Sequence, residues 1–188
     1  MEKSKLREYA ENAWDLIKFA IIALAIVIPV RLFIAQPFVV SGDSMFPTFH
    51  DGQYLIVDEL SYMLGSIHRG DVVIFRYPGD PSRFFIKRII GLPGEKVDVK
   101  NGTVTIYNKA HPEGFTLEEP YIDEPFATTS SYSVPDNQYF VMGDNRNRSS
   151  DSRSWGFVPK KLLIGRAFLR LLPASTVSYL PGYYKEVK

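Results

Sequence analysis

The chain has 188 residues, 22 of them basic and 21 acidic, a net charge of +1 and no cysteine. With 45% hydrophobic and 14% aromatic residues it can bury one ordinary core with an appendage, which excludes a disordered chain. The near-neutral balance lacks the basic footprint of a nucleic-acid binder, and the missing thiols exclude disulfides, thiol catalysis and thiolate metal sites.

Residues 1–15 carry Lys3, Lys5 and Arg7 among acids and read as a cytoplasmic N-terminus. Residues 16–35 follow, apolar over nearly their whole length. The uninterrupted run Phe19–Val30 is 12 residues and too short to cross a bilayer, but Leu16–Ala35 is 20, which suffices for a spanning helix. Lys18 and Arg31 stand near its ends, where long side chains snorkel, and Trp14 lies where an interfacial aromatic belongs. A buried core helix is disfavoured by a segment apolar on every face. A cleavable leader is disfavoured by bulky Phe33 two positions before the one small-residue cut site, Ala35. The segment therefore reads as a retained single-pass anchor. By the positive-inside rule the N-terminus is cytoplasmic, and residues 36–188 form an extracytoplasmic domain.

From Pro37 the pattern is short strands with turn punctuation. Tyr54–Val57, Asp71–Phe75, Phe84–Ile90, Tyr139–Met142 and Arg166–Leu172 read as strands. Val97–Lys100 and Thr103–Tyr107 flank Asn101-Gly102, the strongest short-range hairpin signal. Residues 110–135, rich in Pro, Glu, Ser and Thr, read as a loop excursion. The tail Tyr179–Tyr184 reads equally as a membrane-interface contact or a plain surface tail. The fold class is mainly β: a partly closed antiparallel β assembly on a single N-terminal transmembrane helix.

Three segments can carry chemistry. In Ser41-Gly-Asp-Ser-Met-Phe-Pro-Thr48, a serine sits in a small-residue turn just past the anchor, where Gly42 permits close backbone approach. Taken alone, such a serine is an ordinary turn residue. In Phe84-Phe-Ile-Lys-Arg-Ile-Ile90, strand alternation puts Lys87 on one face with Phe85 and Ile89 and turns Arg88 the other way. Desolvation on an apolar face lowers a lysine pKa, and neutral lysine is a competent general base, a task arginine cannot perform. The bland alternative is an edge lysine reaching to water. The third segment, Gly143-Asp-Asn-Arg-Asn-Arg-Ser-Ser-Asp-Ser-Arg-Ser-Trp-Gly156, follows an apolar strand with a dense polar loop. There Asp144, Arg146, Asp151 and Arg153 can form fixed charge pairs, a costly network unless it positions something.

Taken together and in this order, Ser-Met-x-Pro-Thr, Lys-Arg-x-x-Gly-Leu-Pro-Gly (Lys87 to Gly94) and Gly-Asp-Asn-Arg resemble the type I signal peptidase family of Ser/Lys serine peptidases. The compact length and single anchor look like the Gram-positive form. The resemblance implies a signal-peptidase-like β fold and a membrane-bound serine endopeptidase that removes signal peptides from exported preproteins. It implies Ser44 as nucleophile, Lys87 as general base, Ser149 as the hydroxyl orienting the lysine, and Asp151 with Arg153 as a supporting ion pair. Asp144 and Arg146 belong to the same loop, and the Ser44 backbone amide is one oxyanion donor. No cofactor and no metal are implied; the partners are preproteins with Ala-x-Ala-type cleavage sites and the lipid bilayer, with no nucleic acid.

Two departures from the family pattern stand out. Gly42 occupies the position where many members carry a serine hydroxyl for the oxyanion, so a backbone amide or water must replace it, or the oxyanion hole is weaker. Asn147-Arg148 stand where an Asp-Asn pair is frequent. A cytoplasmic self-cleaving Ser/Lys repressor needs a DNA-binding helical N-terminus, and an anchored β domain that binds without cutting needs neither Ser44 nor Lys87. His50, His68 and His111 lie in polar, turn-like contexts; a Ser-His-Asp triad is recognised by geometry and stays open at this point, while the Ser/Lys reading requires none of the three.

Overall fold

The computed structural model describes residues 13–25, 27, 35–60, 62 and 65–184. Residues 13–25 are helical, with Leu16, Phe19, Ile21 and Ile22 exposed. Among the described residues no helix is long and apolar enough to cross a membrane. Residues 1–12, 26 and 28–34, which hold the basic N-terminus and the rest of the expected anchor, lie outside the described residues. Ala35, expected as the anchor's last residue, opens the first strand instead.

Twelve strands follow in chain order among the described residues. They are β1 (Ala35–Val39), β2 (Tyr54–Asp58), β3 (Val72–Tyr77), β4 (Asp80–Gly91), β5 (Lys96–Lys100), β6 (Thr103–Tyr107), β7 (Phe115–Thr116), β8 (Thr129–Ser133), β9 (Gln138–Met142), β10 (Val158–Pro159), β11 (Leu163–Leu172) and β12 (Ser178–Tyr179). The larger sheet runs β1-β2-β11-β3-β4-β9-β10 with β12 on β11; the smaller runs β7-β6-β5-β8. Every pairing is antiparallel, as the mainly β reading expected.

The expected hairpin forms as β5–β6. Asn101 and Gly102 take φ of 47° and 82°, the left-handed pair that a two-residue turn matched to strand twist requires. In the resulting register Val97 faces Ile106 and Val99 faces Val104, so all four side chains are buried on one side of the small sheet. The stretch expected as a pure loop, 110–135, departs from that reading: it contributes β7 and β8, which flank the hairpin on both sides.

Strand alternation divides the core into three clusters. On β3, Val72 and Ile74 pack with Val40, Met45, Phe49 and Leu55, whereas Val73 and Phe75 pack with Tyr62, Ile89 and Val141. On β9, Tyr139 and Val141 join the second group, and Phe140 and Met142 turn toward the small sheet. β4 serves two clusters through a register shift between Ile89 and Gly91, which sends Ile89 to one and Ile90 to the other. A side chain at Gly91 would stand 2.6 Å from Val97 Cγ2, so the sheets can approach this closely only at a glycine. β4 thus ties the two sheets together.

Candidate active site

The Ser44 segment is held from beneath. Met45 and Phe49, 1% and 0% exposed, plug into the first core cluster, and the Phe49 amide donates to the Met45 carbonyl at 2.9 Å. Burial of two such side chains is worth about 1.5–3 kcal/mol each. Between these plugs and the start of the turn, Ser44 has little freedom. Gly42, with φ of 83°, provides the left-handed turn that brings the chain back, and its amide donates to Asp51 Oδ1 at 2.7 Å.

Lys87 comes from β4, where it pairs with Val73. It is 4% exposed, and its ammonium lies 5.4 Å from the centre of the Phe85 ring. Lys87 Nζ lies 2.7 Å from Ser44 Oγ and 2.8 Å from the Ile86 carbonyl oxygen. Burial pulls the lysine down from 10.5 to about 8, with the charges of Asp151 and Asp144 opposing. A meaningful fraction of the amine is therefore neutral near pH 8, at hydrogen-bond distance from a serine hydroxyl. None of the three histidines hydrogen-bonds Ser44: His50 stacks edge-on to Phe46, while His68 and His111 stand 3.9 and 3.6 Å from Asp71 and Glu113.

The polar loop 143–156 closes on the back of Ser44. The Asn145 amide donates to the Ser44 carbonyl at 3.1 Å. Gly143 is wedged so tightly that a Cβ there would stand 2.2 Å from Ser149 Oγ and 2.3 Å from the Ser44 carbonyl oxygen. Ser149 Oγ is buried beside the Ser44 backbone and has no hydrogen-bond partner among the described residues. Its expected contact with Lys87 is not among the bonds formed.

Asp151 is fully buried and organises the loop. It caps the one-turn helix Ser152–Trp155 by accepting from the Arg153 amide, takes two bonds from the Arg153 guanidinium at 2.8 Å each, and accepts from the Gly143 amide at 3.0 Å. Asp144 and Arg146 do not pair with each other. Asp144 takes a two-pronged bond from Arg88 (2.8 and 2.5 Å) and a third from the Thr48 hydroxyl at 2.5 Å. Arg146 clasps Glu119 through both terminal nitrogens and donates to the Gly143 carbonyl at 3.1 Å. Thr48, Arg88 and Glu119 are the supporting residues that pattern reading did not assign. Arg88 also donates to the carbonyls of Gly70 and Gly182. The tail therefore folds back over Arg88, where Tyr184 meets Tyr121 at 6.0 Å between ring centres and donates to Glu118 at 3.3 Å.

A cavity of about 400 Å³ opens at Ser44 and Lys87, walled by residues 38–44 on one side and 83–87 on the other, with Leu55, Ile74 and Ile86 among its lining. A second, of about 390 Å³, lies against Asp43, Asn145 and Arg148. No group of three or more potential ligands among the described residues could hold a metal ion.

Residues 13–172 match the family model described as signal peptidase, peptidase S26. The chain belongs to the signal peptidase family. Signal peptidases similar to it include "Probable signal peptidase I-1" of Synechocystis sp., 40% identical over 92% of this chain and 91% of the relative. "Signal peptidase I" of Bacillus amyloliquefaciens is 36% identical over 92% and 91%. A crystal structure of a signal peptidase I from Enterococcus faecalis is 32% identical, with a TM-score of 0.47 over 54% of this chain and 96% of that one. Family membership makes this chain a serine endopeptidase of the signal peptidase I type, acting in the removal of signal peptides.

Proposed function

We propose that Ser44 and Lys87 form the catalytic dyad and that the enzyme cuts exported preproteins at Ala-x-Ala-type junctions beside the membrane. The observation that carries this reading is the 2.7 Å approach of a buried lysine amine to a serine hydroxyl, with no other base in hydrogen-bond contact among the described residues. Neutral Lys87 accepts the Ser44 proton as Oγ attacks the scissile carbonyl; the bond to the leaving amine breaks as Lys87 returns the proton. Water activated by the same amine then attacks the Ser44 ester and frees the signal peptide. The Ser44 amide, which donates to no acceptor among the described residues, serves the oxyanion.

Two features favour an extended substrate. Residues 84–87 pair with β3 on one side only, since β9 pairs with β4 from Arg88 onward, and β1 is an edge strand of the sheet. The cavity between these free edges suits a peptide in β conformation. Asp151, Arg153, Asp144 and Arg146 act as positioning residues by fixing the loop that braces Ser44. The orphan hydroxyl of Ser149 is the group we assign to orient Lys87 once the amine has lost its proton.

The helical residues 13–25 expose an apolar surface that a bilayer would cover, and residues 16–35 together are long enough to span one. We assign them as the anchor, with residues 1–15 cytoplasmic and 36–188 outside. The test is cleavage of a synthetic preprotein in detergent. Wild type cuts after the second alanine, and folded Ser44→Ala and Lys87→Ala variants are inert. A Lys87→Ala variant that keeps its rate would remove the dyad.

A further inference from the structure

The second oxyanion donor is unassigned by the family pattern in this chain, because Gly42 brings no hydroxyl. Its backbone amide does not fill the gap: that N–H is committed to the Asp51 carboxylate at 2.7 Å. The donor must come from another group at the mouth of the site.

Two residues line both cavities that flank the nucleophile, Asp43 and Arg148. The Ser44 amide is bonded directly to the carbonyl carbon of Asp43, so the ground that Asp43 and Arg148 share adjoins that amide. Arg148 is tied to the same place through the backbone. Its amide donates to the Asn145 carbonyl at 3.1 Å, and the Asn145 amide donates to the Ser44 carbonyl at 3.1 Å. Its guanidinium, unlike those of Arg88, Arg146 and Arg153, makes no ion pair or hydrogen bond among the described residues. Asp43 has no cation partner there either, and its carboxylate opposes negative charge developing one residue away.

We infer that Arg148 is the second oxyanion donor, its free guanidinium N–H groups closing over the scissile carbonyl from the side opposite the Ser44 amide. A planar cation with several donors meets the requirement without help from Gly42, and it offsets Asp43 as the carbonyl oxygen gains charge. Arg148 would thus be a catalytic residue particular to chains with this loop sequence. The inference rests on Ser44 as nucleophile.

The experiment compares wild type, Arg148→Ala and Arg148→Lys by kcat and KM on an internally quenched Ala-x-Ala peptide. It also measures affinity for a peptide aldehyde, which forms a tetrahedral adduct with a serine, and for an uncleavable peptide of the same sequence. Losing one oxyanion donor costs about 10²–10³ in kcat. We expect a loss of that order in Arg148→Ala with KM within about twofold, and partial recovery in Arg148→Lys. Aldehyde affinity should fall in parallel while the uncleavable peptide binds as before. Arg148 is exposed, so the thermal midpoint should not move. If Arg148→Ala keeps its kcat, or loses only KM, Arg148 does not touch the transition state and the inference falls alone. A folded wild type that leaves the peptide intact overturns both this inference and the dyad reading.

Discussion

Lys87 is a buried cation with no carboxylate in contact among the described residues, and that makes it costly as well as useful. Its pKa is depressed to about 8 from 10.5, so between those values the unfolded chain binds more protons than the fold. The penalty is present in full below pH 8 and is relieved as pH rises toward 10.5, so this group makes the fold more stable with increasing pH across that window. Lys87→Met, which keeps length and removes the charge, should raise stability at pH 7 by on the order of 2 kcal/mol while abolishing cleavage. Chemical denaturation at pH 7 checks this; a destabilised Lys87→Met would mean that the ammonium is well solvated in the fold. Ser149 should behave similarly. Its hydroxyl makes no hydrogen bond among the described residues, so Ser149→Ala should leave the denaturation midpoint unchanged or raised yet slow turnover. Asp144 differs. It is paired with Arg88 with both side chains at 0% exposure, and Asp144→Ala should cost about 3–5 kcal/mol because it strands the guanidinium in the core.

Among the elements, the Ser44 turn depends on its plugs. Met45→Ala removes a side chain 1% exposed from the first cluster and should destabilise by about 2–5 kcal/mol, with kcat falling more than thermal stability would dictate. The hairpin β5–β6 could be read in advance because its alternation is strict and Asn101-Gly102 admits few other turns. The placement of Lys87 beside Phe85, away from Arg88, followed from the two-residue period of a strand. β7 and β8 were not legible: Thr129–Ser133 has one half-buried ring, Tyr132, among hydroxyls, and its pairing is fixed by β5 rather than by its own pattern. The partner of Asp144 was hidden for a related reason. Arg146 is its neighbour in sequence, but the β4–β9 register sets Arg88 opposite Met142, at the very entrance to the loop, from 56 residues away. Glu119 lay inside the segment read as a plain loop, where no local signal marks it as the clasp for Arg146.

At the scale of the whole molecule, residues 180–184 fold over the Arg88–Asp144 pair. Gly182 accepts from Arg88 and has no room for a Cβ, with Thr48 Cγ2 2.8 Å from where one would stand, so this stretch touches the ion pair and the Ser44–Phe49 segment at once. Ending the chain after Tyr179 should uncover Arg88 and cost about 1–3 kcal/mol, together with a loss of activity. Thermal unfolding and peptide cleavage on the shortened protein decide it; full activity would make the tail a plain surface feature. The central claim is that a lysine, and no histidine, takes the Ser44 proton. The dependence of kcat/KM on pH for an Ala-x-Ala peptide tests it most directly, because it reports the essential base of the free enzyme. The rate should rise with pH through a midpoint of about 8, as Lys87 loses its proton. An ascending limb centred near the ordinary histidine value of about 6.5 would contradict it.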